Sequence, residues 1–261
     1  MEINYRIDGN GSKTLFFIHG WASDKSVWQN QIEAFKKDFR IINVDLRGHG
    51  ETPWAETHDL LGSFTDDILE LCDKLKLENI NFVAWSMAGF VLLELCQRAA
   101  QLIDSFTLVT ATPKFLNYQD YRCGTDEANL NLLKKKLNAN LPAALEEFRL
   151  YMFSDQEKQD SRFAQAWEVL KKIPSPNERA LTLGLELLEK ADFRQDLNLI
   201  YKPTLLIAGE KDAIIPKLTA EFMQQRIKNA ELVIFKDSGH APFLTQPERF
   251  NQVLREWISK K

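Results

Sequence analysis

A chain of 261 residues, 44% hydrophobic and 27% charged, is long enough for one large globular domain with an insertion and cramped for two. Its formal net charge of −4 offers no field for nucleic acid, and its dispersed cysteines (Cys72, Cys96, Cys123) and four dispersed histidines argue against a disulfide framework or a metal site. No stretch near Met1 joins a basic flank to an apolar core and a cleavage site, and Thr14 to Ile18 is too short to cross a membrane, so a cytoplasmic protein without metal or cofactor is expected.

Ile3, Tyr5 and Ile7 alternate with polar residues and lead into Asp8-Gly-Asn-Gly11, which predicts a strand and a hairpin turn. Leu15 to Ile18 is a continuous apolar run, as in a strand covered on both faces, and His19-Gly-Trp-Ala22 follows it directly. Trp28, Ile32, Phe35 and Phe39 recur near helical spacing, and Ile41 to Val44 is a second buried strand ending in Asp45-Leu-Arg-Gly-His-Gly50. Phe64, Ile68, Leu71, Cys72 and Leu75 mark one face of a helix, with Ser63 and Asp66 at capping-box spacing. Ile80 to Trp85 predicts a strand, Met87 to Cys96 the start of a helix, and Ile103 to Val109 a further strand. The alternation predicts a mostly parallel, doubly wound α/β sheet.

From about Pro113 to Lys190 the strand-like runs stop. Helical spacing takes over at Leu130, Leu133 and Leu137, at Leu145, Phe148 and Met152, and at Phe163, Trp167 and Leu170, with Pro174-Ser-Pro176 as a break. A helical lid over 113–190, inserted into a core of 1–112 and 191–261, is the expected organisation. The sheet pattern resumes with Thr204 to Ala208, a helix opened by Pro216, and Glu231 to Phe235. Thr245-Gln-Pro-Glu248 reads as the cap of a last helix that buries Phe250, Val253, Leu254 and Trp257.

Within this frame Ser86 occupies a turn of almost no length between strand and helix, flanked at two residues' distance by Ala84 and Ala88 where the G-x-S-x-G pattern has glycines. Such a turn lifts the hydroxyl to the top of the sheet beside the positive end of a helix. A serine hydroxyl needs a base to take its proton, and an imidazole base needs a third group to fix its tautomer. Asp212 follows the strand at 204–208 and His240 follows the strand at 231–235, so both loops open on the same edge as Ser86. Asp45 and Asp237 compete for the acid, and His49 and His58 for the base. Asp45 precedes the serine in the chain and reads as structural, so Asp212 and His240 are favoured. The N–H groups of Met87 and of Trp21, in the loop after the Leu15 to Ile18 strand, are the candidate oxyanion donors.

With these residues in place the chain resembles the α/β-hydrolase superfamily. His19-Gly-Trp21, Asp45-Leu-Arg-Gly-His-Gly50, the Ser86 elbow, Gly209-Glu-Lys-Asp212 and Gly239-His-Ala-Pro-Phe243 carry the likeness nearly from end to end. Within it, Trp85-Ser86, Gly184-Leu-Glu-Leu-Leu188 and Asp192-Phe-Arg194 are similar to the pimeloyl-carrier-protein methyl ester esterases of biotin biosynthesis. The resemblance implies Ser86 as nucleophile, Asp212 and His240 as its partners, Trp21 and Met87 at the oxyanion, and Trp21, Trp85, Phe148 and Met152 around a small acyl ester. It also implies an acidic acyl carrier protein docking on the lid, although residues 113–190 hold twelve Lys and Arg against twelve Asp and Glu. The expected protein is a monomeric serine carboxylesterase with no nucleic-acid or membrane partner. A generic short-chain carboxylesterase, a menaquinone-pathway type of lyase and a binding protein that has lost turnover are the alternatives.

Overall fold

The computed structural model describes residues 1–260. The chain forms β1 (Tyr5–Asp8), β2 (Lys13–Ile18), α1 (Gln29–Phe35), β3 (Phe39–Val44), α2 (Leu60–Lys74), β4 (Ile80–Trp85), α3 (Ala88–Ala99) and β5 (Ile103–Val109). Five helices follow: α4 (Glu127–Ala139), α5 (Leu141–Tyr151), α6 (Asp155–Gln159), α7 (Arg162–Lys171) and α8 (Glu178–Lys190). The chain closes with β6 (Thr204–Gly209), α9 (Lys217–Gln224), β7 (Ala230–Phe235), α10 (Pro242–Thr245) and α11 (Pro247–Ser259). No helix among the described residues is long and apolar enough to cross a membrane.

Among the described residues seven strands make one sheet in the order β1-β3-β2-β4-β5-β6-β7, parallel except where β1 meets β3. Every position of β4 and β6 is buried, whereas β1 and β7, at the two edges, are exposed or only partly buried apart from Phe235 at the end of β7. Against the hairpin expected from Asp8-Gly-Asn-Gly11, β1 does not pair with β2. Both edges of β2 are taken by the parallel strands β3 and β4, so β1 crosses to the far side of β3, with Tyr5 opposite Val44 and Asp8 opposite Ile41.

Two predicted caps also differ. Helix α2 starts before Ser63, because the Asp59 side chain accepts from Gly62 N–H at 3.0 Å and begins the helix at Leu60. Helix α11 has no side-chain cap: Thr245 donates its hydroxyl to Glu157 instead, at 2.5 Å. The buried face of α11 is Phe250, Leu254, Trp257 and Ile258, with Val253 only partly covered.

The five helices α4 to α8 leave the sheet after β5 and return before β6. Their two connections run side by side, joined by Phe193 N–H to Pro113 O at 2.8 Å, Arg194 to Asp120 at 2.7 Å and Lys114 to Asp192 at 3.4 Å.

Candidate active site

Ser86 has φ +57°, a left-handed conformation that costs a non-glycine residue about 1–2 kcal/mol. It is the one residue between Ile80 and Leu93 that is not buried. Ala84 and Ala88 are fully enclosed, which is why neither position has room for a larger side chain. Ser86 N–H donates to Val109 O at 2.9 Å, tying the turn to β5.

Ser86 Oγ lies 2.9 Å from His240 Nε2, and His240 Nδ1 lies 2.8 Å from Asp212 Oδ2. The other carboxylate oxygen, Asp212 Oδ1, accepts from Ile214 N–H at 2.8 Å and Ile215 N–H at 3.0 Å, so the acid cannot rotate away from the ring. Its acceptor face fixes the proton on Nδ1 and leaves Nε2 to receive one from serine. The His240 backbone is held as well: its N–H donates to Met152 O at 2.7 Å, and its carbonyl accepts from Trp85 Nε1 at 2.9 Å and Thr110 Oγ1 at 2.8 Å.

The other sequence candidates lie elsewhere. Asp45 accepts from Lys25 Nζ at 2.6 Å, Lys25 N–H at 2.7 Å and Glu51 N–H at 2.9 Å, holding the loop after β3. His49 is enclosed, with Nδ1 on Arg47 O, and burial pushes its pKa down from 6.5 to about 3. His58 is exposed. Buried His19 is also pushed down by desolvation; it receives Leu46 N–H on Nε2 and gives its Nδ1 proton to Gly20 O. It braces the two loops.

The N–H groups of Gly89 and Phe90 are consumed by Ser86 O and Met87 O, which leaves Met87 N–H without a protein acceptor among the described residues. Trp21 N–H has none either, and its loop lies against the elbow: a Cβ built at Gly20 would stand 3.1 Å from Ser86 Cβ. Two unspent donors beside Ser86 are what a developing oxyanion requires.

Ser86 opens on a cavity of about 230 Å³ whose walls are largely apolar: Trp21, Leu130, Leu133, Phe148, Leu185 and Ile214. The Trp21 and Phe148 rings meet edge-to-face at 4.9 Å, and the indole N–H is satisfied by Leu181 O at 3.0 Å. Lys136 and Glu147 form an ion pair on the cavity lining between α4 and α5. Of the four residues proposed to surround the acyl ester, Trp21 and Phe148 line this cavity, while Trp85 and Met152 do not. Both are buried behind His240 and hold its backbone. Sequence reasoning did not single out Thr110 or Glu157. Only Glu157 carried a local signal, the Ser154-x-x-Glu157 spacing of a capping box, which is present.

A family model described as the alpha/beta hydrolase fold matches residues 13–247. A pimeloyl-[acyl-carrier protein] methyl ester esterase from Nitrosomonas europaea is 32% identical over 249 residues, covering 95% of this chain and 96% of that protein. The esterase of the same name from Vibrio cholerae is 28% identical over 262 residues, covering 100% and 99%. Among solved structures, an esterase from Exiguobacterium antarcticum matches with a TM-score of 0.90 at 24% identity, covering 98% of this chain and 95% of that one. A bromoperoxidase from Bacillus anthracis matches with a TM-score of 0.87 at 26% identity and the same coverage.

Proposed function

The chain belongs to the α/β-hydrolase family and is a carboxylic ester hydrolase, and from that premise we propose that it cleaves an acyl methyl ester through Ser86, His240 and Asp212. The substrate that its relatives' names supply is pimeloyl-[acyl-carrier protein] methyl ester, a step of biotin synthesis.

In this reading Ser86 Oγ attacks the ester carbonyl while His240 Nε2 takes its proton. Asp212 keeps the imidazole in the accepting tautomer and stabilises the imidazolium. The carbonyl oxygen, now negative, sits between the N–H groups of Met87 and Trp21 at the N-terminal end of α3. Collapse of the tetrahedral adduct expels methanol, protonated by His240, and leaves an acyl-serine. Water activated by the same imidazole then releases the acid. The acyl chain lies in the apolar cavity, and α4 to α8 act as the lid over it. No step calls on a cofactor.

The observation that carries the reading is the hydrogen-bonded line from Asp212 through His240 to Ser86, ending at the wall of an apolar cavity. Expression in a strain lacking its own biotin-pathway methyl ester esterase tests it: growth without biotin is expected from the native gene and not from Ser86→Ala. No growth with either would sink the carrier-linked substrate.

One observation favours a second reading, a carboxylesterase for carrier-free acyl esters. Two of the three lysines in the Lys134-Lys-Lys136 run are engaged within the chain, Lys134 with Glu189 at 2.6 Å and Lys136 with Glu147. That leaves little positive field for an acidic carrier. Failure to restore growth together with Ser86-dependent hydrolysis of short p-nitrophenyl esters selects this reading.

A further inference from the structure

We propose that Glu157, on α6, is a positioning residue that holds the His240 loop in register with Ser86, so that the helical insertion completes the reaction centre as well as covering the cavity. The proposal rests on the reading of His240 as the base.

Glu157 is buried, and all four of its hydrogen-bond partners are neutral. Oε2 accepts from the N–H groups of Ser154 and Gly239, each at 2.8 Å; Oε1 accepts from Ser238 Oγ at 2.8 Å and Thr245 Oγ1 at 2.5 Å. A carboxylate taken out of water is costly unless each lone pair is matched. Capping α6, a helix of five residues, accounts for only the Ser154 contact. The other three partners lie more than 80 residues along the chain, in the stretch that carries His240.

The contact continues residue by residue. Asp237 O accepts from Ser154 Oγ at 2.7 Å, Ser238 and Gly239 donate to Glu157, and His240 N–H donates to Met152 O at 2.7 Å. Four successive residues before and at the imidazole are thus bound to residues 152–157. The fit is close: a Cβ at Gly239 would stand 2.3 Å from Met152 O. Asp237 is held at φ +59°, a conformation that persists only where its surroundings over-determine it. On its other side the His240 carbonyl is fixed to the sheet by Trp85 and Thr110. The insertion therefore sets one end of the His240 backbone and the core sets the other. Glu157 is the group through which most of the insertion's grip passes.

The test uses the full chain and a short p-nitrophenyl ester, with kcat and KM measured separately well below each variant's Tm. Glu157→Ala is expected to lower kcat roughly ten- to hundredfold with KM little changed, the scale of loss that a small misplacement of a reacting group produces. Glu157→Gln is expected to restore most of it. Its amide oxygen serves the two backbone N–H groups, and its NH₂ serves hydroxyls that can turn to accept. A role confined to stability would lower Tm and leave kcat of the folded variant at the native value, and that result overturns the proposal. So does a Glu157→Gln variant as slow as Glu157→Ala. Should Glu157→Ala fail to fold, Ser238→Ala, which deletes one of the four donors without adding bulk, decides: a several-fold lower kcat supports the role and a native kcat overturns it. His240→Ala is run alongside. If it stays active, the assignment of the base fails and the proposal falls with it. If it is inactive while folded Glu157→Ala is fully active, the positioning role alone is refuted.

Discussion

At Ser86 the backbone and the side chain make opposite demands. The left-handed φ of +57° favours glycine, and only the hydroxyl gives a reason to keep a side chain there. Ser86→Ala and Ser86→Gly are both expected to lose at least roughly 10⁴-fold in kcat. Glycine is expected to be the more stable of the two by about 1 kcal/mol, read from urea melts. At Asp212 the two backbone donors on Oδ1 fix what a substitution does. In Asp212→Asn the amide oxygen stays on Ile214 and Ile215, and the NH₂ turns to His240 Nδ1, forcing the proton onto Nε2. A fall in kcat of roughly 10⁴ with Tm nearly unchanged is expected, because the base is presented in the wrong tautomer. That Ser86, Asp212 and His240 come together could be read from their places after β4, β6 and β7, since strand ends of a parallel sheet share one edge. The part played by Trp85 and Met152 could not: both are apolar residues near the centre, and only the hydrogen bonds of the Trp85 indole and the Met152 carbonyl to the His240 backbone show them supporting it.

Among the elements, α8 and α5 hold the features most open to test. Gly184 lies where α8 crosses Trp21, and a Cβ there would meet Trp21 Cδ1 at 2.5 Å and Nε1 at 2.9 Å. Gly184→Ala is expected to push the indole into the cavity, raising KM several-fold for long acyl esters more than for acetyl esters, with the far-ultraviolet circular dichroism unchanged. Arg149, in α5, is buried with a single bond to Ile173 O at 3.0 Å and no partner for Nε, and burial lowers its pKa. A charge enclosed without a carboxylate partner is a cost to the fold, so Arg149→Met is expected to leave the protein as stable or to stabilise it by about 1–2 kcal/mol in thermal or urea melts. The strands were readable because continuous apolar runs can hardly be anything else at those lengths. The partner of β1 was not, because alternation specifies which face of a strand is buried and says nothing about which neighbour it meets.

For the molecule as a whole, acid is expected to act through the two enclosed histidines below the elbow. His49 titrates near 6.5 when unfolded and at about 3 when folded, and His19 is shifted the same way by the same desolvation. Between those values the unfolded chain binds more protons than the folded one. The His49 contribution is therefore complete above about pH 6.5 and drains away as pH falls toward 3, by an amount on the order of a few kcal/mol, and that of His19 is lost in the same direction. Urea midpoints followed from pH 7 to pH 4 check this: the native chain should decline steadily, and His49→Gln, lacking that ring, should decline less. The positions of α4, α5 and α7 between β5 and β6 were legible from their spacing, whereas the five-residue α6 is too short to show a period. How they seat on the sheet was not, because the buried polar contacts that fix them join residues far apart in the chain and leave no periodic trace.

The connections that carry the chain into and out of those helices meet at Pro113 and Phe193, one hydrogen bond apart. A segment whose ends are pinned together can change length at little entropic cost to the sheet, and by that measure it is an exchangeable cassette. The bonds from residues 152–157 to residues 237–245 impose a condition on the exchange: a chimaera that imports foreign helices must import the matching histidine loop as well.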